Sequence, residues 1–162
     1  MSVDALEPAV TAPVPPTPNL VDELSGYFFE ELEVGMTAAY ARTIGPADLV
    51  MFAGISGDTN PMHLNEEYAG QTMFAGTIAH GMLCSSFIST VVGTRLPGPG
   101  CVYVSQTLKF KAPVRPGDTV TARATVTQLI PEKNRAVLET VCTVGDKVVI
   151  SGEAQVLVPT KS

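Results

Sequence analysis

Basic residues are scarce and unevenly placed in this chain. No lysine or arginine occurs before Arg42, while Asp4, Glu7, Asp22, Glu23, Glu30, Glu31 and Glu33 supply seven of the sixteen acids. From Arg42 onward ten bases face nine acids, and the net charge of the whole chain is −6. Binding to nucleic acid needs clustered bases that neutralise phosphates, so that class of partner is excluded. Cysteine is just as sparse. Cys84, Cys101 and Cys142 are widely spaced with no CxxC pair, which rules out a disulfide framework and a zinc site. Each lies in an apolar pattern, so buried free thiols in a reducing cytoplasm are expected. No apolar run approaches the length of about 20 residues that spans a bilayer. Nor does the chain open with the basic, then apolar, pattern of a signal peptide. The sequence predicts a cytoplasmic protein with no membrane association.

What remains is 45% hydrophobic and only 16% charged. That balance predicts one globular domain with part of its surface covered by a partner subunit. Residues 1–20, "MSVDALEPAVTAPVPPTPNL", hold five of the thirteen prolines and no aromatic residue. We expect residues 1–26 to form a disordered or extended arm and residues 27–162 to form the domain. "MTAAYART" alternates as a strand, and Pro46 opens a short helix, "PADLVMFAGIS". "NEEYAGQTM" predicts another short helix with Asn65 as N-cap. In "AHGMLCSSFISTVVGTRL", Leu83, Phe87 and Val91 recur at every fourth position, as do Ile88 and Val92. This helix is apolar nearly all round and should be buried. After residue 100, four Val- and Thr-rich segments are broken at "RPGD", "PEKN" and "GD", which predicts an antiparallel meander. The expected class is α+β.

The chain has two histidines, and both fall between residues 63 and 80. In "ISGDTNPMHL" the Asn-Pro step prevents a continuous helix, so a bent backbone can bring Asp58 and His63 to one point. A carboxylate beside a neutral histidine can fix its tautomer, and the pair can activate water. Equally, Asp58 can simply cap its own turn. Gly81 stands at the start of the central helix, where N–H groups have no internal partner and carry partial positive charge. Without a side chain it would let a developing oxyanion reach the backbone, or else let something pack tightly on the helix. No HExxH or comparable ligand set suggests a metal.

"FAGISGDTNPMHLNEEYAG", "AHGML" and "VSQTLKFKAPVRPGDTV", in that order, resemble the MaoC-like dehydratases and most of all the (R)-specific enoyl-CoA hydratases. The resemblance covers about residues 36 to 158. It implies a hotdog fold, a curled antiparallel sheet wrapped around one long central helix, in a homodimer or higher homo-oligomer. It implies Asp58 and His63 as the catalytic dyad and the Gly81 N–H as oxyanion donor. Asn60 and Ser89 would position the substrate. The reaction would be syn addition of water to a trans-2-enoyl thioester, or its reversal from a 3-hydroxyacyl-CoA, with no cofactor. Lys109, Lys111, Arg95 and Arg115 could meet coenzyme A phosphates or an acidic acyl carrier protein. The acyl tunnel is expected near Ser85, Ser89 and Val92, for a short chain such as crotonyl. The alternatives are a branched, dicarboxylic or carrier-protein substrate, and a non-catalytic acyl-CoA-binding protein. A thioesterase is disfavoured because residues 81–96 hold no carboxylate.

Overall fold

The sequence predicts a central helix buried all round, but the structure buries one face of it and leaves Met82, Ser86, Ser89 and Gly93 exposed along the other. In the computed structural model, which describes residues 19–161, it is α5 (Gly81–Thr94), with Cys84, Ser85, Phe87, Ile88, Val91 and Val92 buried. Fully burying a side chain such as Ile88 stabilises by about 1.5–3 kcal/mol, and these six residues share one face of α5. Five antiparallel strands curl around it: β1 (Thr37–Thr43), β2 (Val102–Phe110), β3 (Thr119–Ile130), β4 (Arg135–Val144) and β5 (Lys147–Leu157). Period-two alternation turns one face of each strand inward. Val120, Ala122, Ala124 and Val126 of β3 are buried, as are Ala136, Leu138, Thr140 and Cys142 of β4. Small residues on β3 and β4 let the sheet close tightly on the helix. Tyr40 of β1 meets Phe87 edge-on at 5.5 Å between centroids. The hotdog arrangement is therefore present.

The strand order is β1-β3-β4-β5-β2, which corrects the expected four-strand meander. Only β3, β4 and β5 are joined as successive hairpins; β2 pairs with β5 at the far edge. The connection from β2 to β3, residues 111–118, contains Pro113 and Pro116 and cannot fold as a tight turn. Instead it crosses the end of the sheet, where Val114 O accepts from Ala79 N at 2.7 Å and Ile44 O accepts from Gly117 N at 2.7 Å.

Between β1 and α5 the chain forms α2 (Pro46–Ser56), α3 (Pro61–Leu64) and α4 (Glu66–Gly70). Pro46 at the first turn and Asn65 as a side-chain N-cap act as the sequence indicated; the single turn α3 is an addition. Residues 1–18 of the expected arm lie outside the described residues. The rest of it is not extended. Asn19 caps a short helix, α1 (Leu20–Leu24), and Gly26 N then donates to Pro99 O at 2.8 Å.

The cysteines are free, with Cys84 and Cys142 buried and Cys101 half-buried. Burial pushes the Cys84 thiol up to about 11 and the Cys142 thiol up to about 12, from an ordinary value of 9.0. Above pH 9 the unfolded chain loses these protons while the folded chain keeps them. Stability should therefore fall as pH rises from about 9 to 11, by ~1.4 kcal/mol per pH unit for each thiol. Urea midpoints at pH 8 and pH 10 check this: a Cys84→Ala, Cys142→Ala double variant should show a visibly flatter decline.

Candidate active site

The bend at Asp58 is built by local side-chain bonds. Gly57, at φ 77°, ends α2 in the left-handed conformation that glycine adopts without strain. Ser56 Oγ then accepts from Asp58 N at 3.2 Å, and Asp58 Oδ1 accepts from Asn60 N at 3.2 Å. Asn60 Oδ1 accepts from Met62 N at 3.1 Å, so Asn60 is the N-cap of α3, with Pro61 behind it. One turn later α3 presents His63. Asn60 thus sets the direction of the histidine, while its own side chain is committed to the backbone.

His63 Nδ1 lies 2.8 Å from the carbonyl oxygen of Ile78. Only a donor satisfies a carbonyl, so the proton sits on Nδ1 and the neutral ring keeps its lone pair at Nε2. The tautomer is therefore fixed by the Ile78 backbone and not by Asp58, as the spacing had suggested. Asp58 and His63 make no direct hydrogen bond. A carboxylate oxygen of Asp58 and one nitrogen each of His63 and His80 lie within 4.8 Å of one another. Two acceptors sharing one water at about 2.8 Å each, near the tetrahedral angle, stand about 4.6 Å apart. Groups this near can share one water.

His80 is the residue that reading the sequence passed over. Its Nε2 donates to Asp58 O at 3.0 Å, and its ring stacks on that of His63 at 3.8 Å between centroids. The signal was available, because it is the second of only two histidines and directly precedes Gly81.

These groups border a cavity of about 520 Å³, which also takes in Phe74, Met82, Cys84, Phe110, Val114 and Ile150. Gly81 and Met82 line it, and their N–H groups make no hydrogen bond among the described residues. They are free donors at the positive end of a 14-residue helix. The close packing considered for Gly81 is present in the structure. A β-carbon there would come within 2.6 Å of the Phe110 ring, so the missing side chain also makes room for that ring.

Ser89 does not join this group. It is exposed on α5 and does not line the cavity. The expected tunnel along Ser85, Ser89 and Val92 is replaced by a cavity on the Cys84 side of the helix, since neighbouring positions point about 100° apart. Ser85 is buried and bonds back to Met82 O at 3.0 Å. Of the four bases, only Lys111 borders the cavity; Lys109 lies exposed on β2. Arg95 bonds to Ala39 O and sits 5.5 Å from the Tyr40 ring, and Arg115 bonds to Phe74 O, so both tie the fold together.

Residues 29–151 match the family described as MaoC like domain. The chain is 58% identical over 140 residues to an (R)-specific enoyl-CoA hydratase of Rhodospirillum rubrum, covering 86% of this chain and 97% of that protein. It is 53% identical over 142 residues to a 3-hydroxybutyryl-CoA dehydratase of Methylorubrum extorquens, covering 88% and 90% respectively. Among solved structures, the unliganded R-hydratase PhaJ1 from Pseudomonas aeruginosa superposes with a TM-score of 0.80 at 42% identity, covering 85% of this chain and 89% of that one. By this match and these identities, the chain belongs to the MaoC-like domain family.

Proposed function

We propose that this protein is an (R)-specific enoyl-CoA hydratase, a hydro-lyase that reversibly adds water to a trans-2-enoyl-CoA. The observation that carries the reading is one cavity holding two unlike features. Asp58 and His63 lie within 4.8 Å of one another without a direct hydrogen bond, and free N–H groups lie at the start of α5. The first activates a nucleophile, and the second accepts the charge that the attack creates. The relatives named above support it over nearly the whole folded chain.

The thioester carbonyl oxygen takes the Gly81 N–H, which draws electron density away from C3. Water held by Asp58 and His63 Nε2 attacks C3, and the pair takes up its proton as the oxygen–carbon bond forms. Negative charge spreads from C2 into the thioester carbonyl, where the helix terminus stabilises it. The pair then returns a proton to C2 on the same face, giving the (R)-3-hydroxyacyl-CoA. Asp58 and His63 act as a unit, and Asn60 holds α3 so that His63 faces the water.

A short acyl chain such as crotonyl suits a cavity walled by Cys84 and Ile150. Exposed Lys111 at the cavity is placed to meet a coenzyme A phosphate. We assign a homodimer because edge strand β2 exposes Val102, Val104 and Phe110, and an open apolar edge is stable when paired. No helix among the described residues is long and apolar enough to cross a membrane, and the three free thiols suit the cytoplasm.

The test adds purified protein to crotonyl-CoA, follows the loss of enoyl-thioester absorbance and assays the product with an (R)-specific dehydrogenase. Fast loss with the (R) product is expected. A folded protein inactive on crotonyl-CoA and on longer, branched and carrier-protein-bound enoyl thioesters would favour a binding protein.

A further inference from the structure

We propose that His80 is a positioning residue that locks the two proton-handling groups to each other and to the oxyanion end of α5. The inference rests on the hydratase reading and gives one side chain a task in it. Three separate contacts meet at this residue. Its Nε2–H donates to the backbone carbonyl of Asp58 at 3.0 Å, which anchors the carboxylate's own residue to α5. Its ring lies against His63, with centroids 3.8 Å apart and planes inclined by 31°. Its backbone is the N-cap of α5, so the next N–H is that of Gly81.

The surroundings leave His80 little freedom. It is 1% exposed, and its ring lies 5.0 Å between centroids from the Phe52 ring of α2. The imidazole thus packs against both α2 and His63 while its Nε2 is tied to the bend between them. Displacement of this ring would move Asp58 and His63 together, relative to the helix terminus.

Packing alone does not account for a histidine here. Its Nδ1 is buried without a hydrogen-bond partner. Phenylalanine would fill similar space and stack on His63 without leaving such an atom unpaired. What phenylalanine lacks is the N–H aimed at Asp58 O. The imidazole is the residue that supplies both the flat face and that donor.

Two variants separate the two contributions. His80→Phe keeps the ring and removes the donor; His80→Asn keeps a donor and removes the ring. Since small misplacements of reacting groups cost about a hundredfold, His80→Phe should lower kcat on crotonyl-CoA by that order, with KM changing by less than about threefold. His80→Asn should recover part of that loss, and neither variant should lower the thermal midpoint in proportion to its loss of rate. A second readout does not depend on turnover. In ¹⁵N-imidazole NMR, the His63 Nδ1–H proton should exchange at least about tenfold faster in His80→Asn, which removes the ring packed against His63, than in the wild type. Near-wild-type kcat in a folded His80→Phe variant, or a loss carried by KM, would overturn the proposal. Were the wild-type protein itself inactive on enoyl thioesters, the hydratase reading would fall separately, and an unchanged His63 exchange rate would then overturn the positioning role.

Discussion

Asp58→Asn is expected to lower kcat on crotonyl-CoA by roughly a hundred- to ten-thousandfold while leaving the fold intact. The asparagine amide oxygen can still accept from Asn60 N, so the turn that Asp58 Oδ1 now supports survives the change. What disappears is the negative charge and the ability to take a proton. This variant therefore separates the two roles that the sequence left open: an Asp that only caps its turn would be replaced without loss. His63→Ala should cause a loss of the same order, because it removes the Nε2 lone pair that Ile78 O holds free for water. The double variant should fall little further, since groups that work on one water fail together. Initial rates from enoyl-thioester absorbance, with circular dichroism on each variant, check all three.

Gly152→Ala should give the largest loss of stability from a change of one methyl group. Gly152 lies in β5 opposite Leu108 of β2, and a β-carbon there would fall on the Thr107 carbonyl group, with the carbonyl carbon at 2.8 Å. Both clashing atoms belong to backbone within the ladder, so no side chain can turn aside. Relief requires the two strands to part, at a cost of roughly 3 kcal/mol or more. For a chain of this size that lowers the thermal midpoint by about 10 °C. Gly54→Ala provides the contrast: nothing lies within 4 Å of a β-carbon there, and α2 continues through it. That change should stabilise by roughly 0.5–1 kcal/mol. Thermal unfolding of both variants beside the parent measures the difference, and a Gly152→Ala protein that melts with the parent would sink the argument.

Local rules carried the sequence reading a long way. Pro46, Asn65 and the fourfold spacing of α5 act within a turn or two of chain, so the helices they predict are where they should be. The bend at Asp58 was legible for the same reason. Strand partnership is not local: nothing within β2 itself says that its neighbour is β5 and not β3. The tautomer of His63 was missed because its partner, Ile78 O, is a backbone atom, and a backbone atom leaves no residue-type signature. His80 escaped because its role depends on a ring-to-ring distance that appears only once α5 and α3 are brought together. Ser85 and Ser89 looked like a tunnel face because they are small, but small size alone does not say what lies beside them: Ser85 is buried and Ser89 exposed, and neither lines the cavity.

The place of β2 at the outer edge has a consequence for how the molecule is made. The strand leaves the ribosome before β3, β4 and β5, yet its partner β5 is the last of the three to be synthesised. Until then β2, with Val102, Val104 and Phe110 uncovered, has no strand to lie against. Pairings between distant segments close late, because the loop between them must first be ordered. Phe110 and Lys111, which wall the cavity, are placed only when β2 docks. Asp58 and His63 are close in sequence and can come together early, whereas the cavity they border is the last part of the protein to be completed.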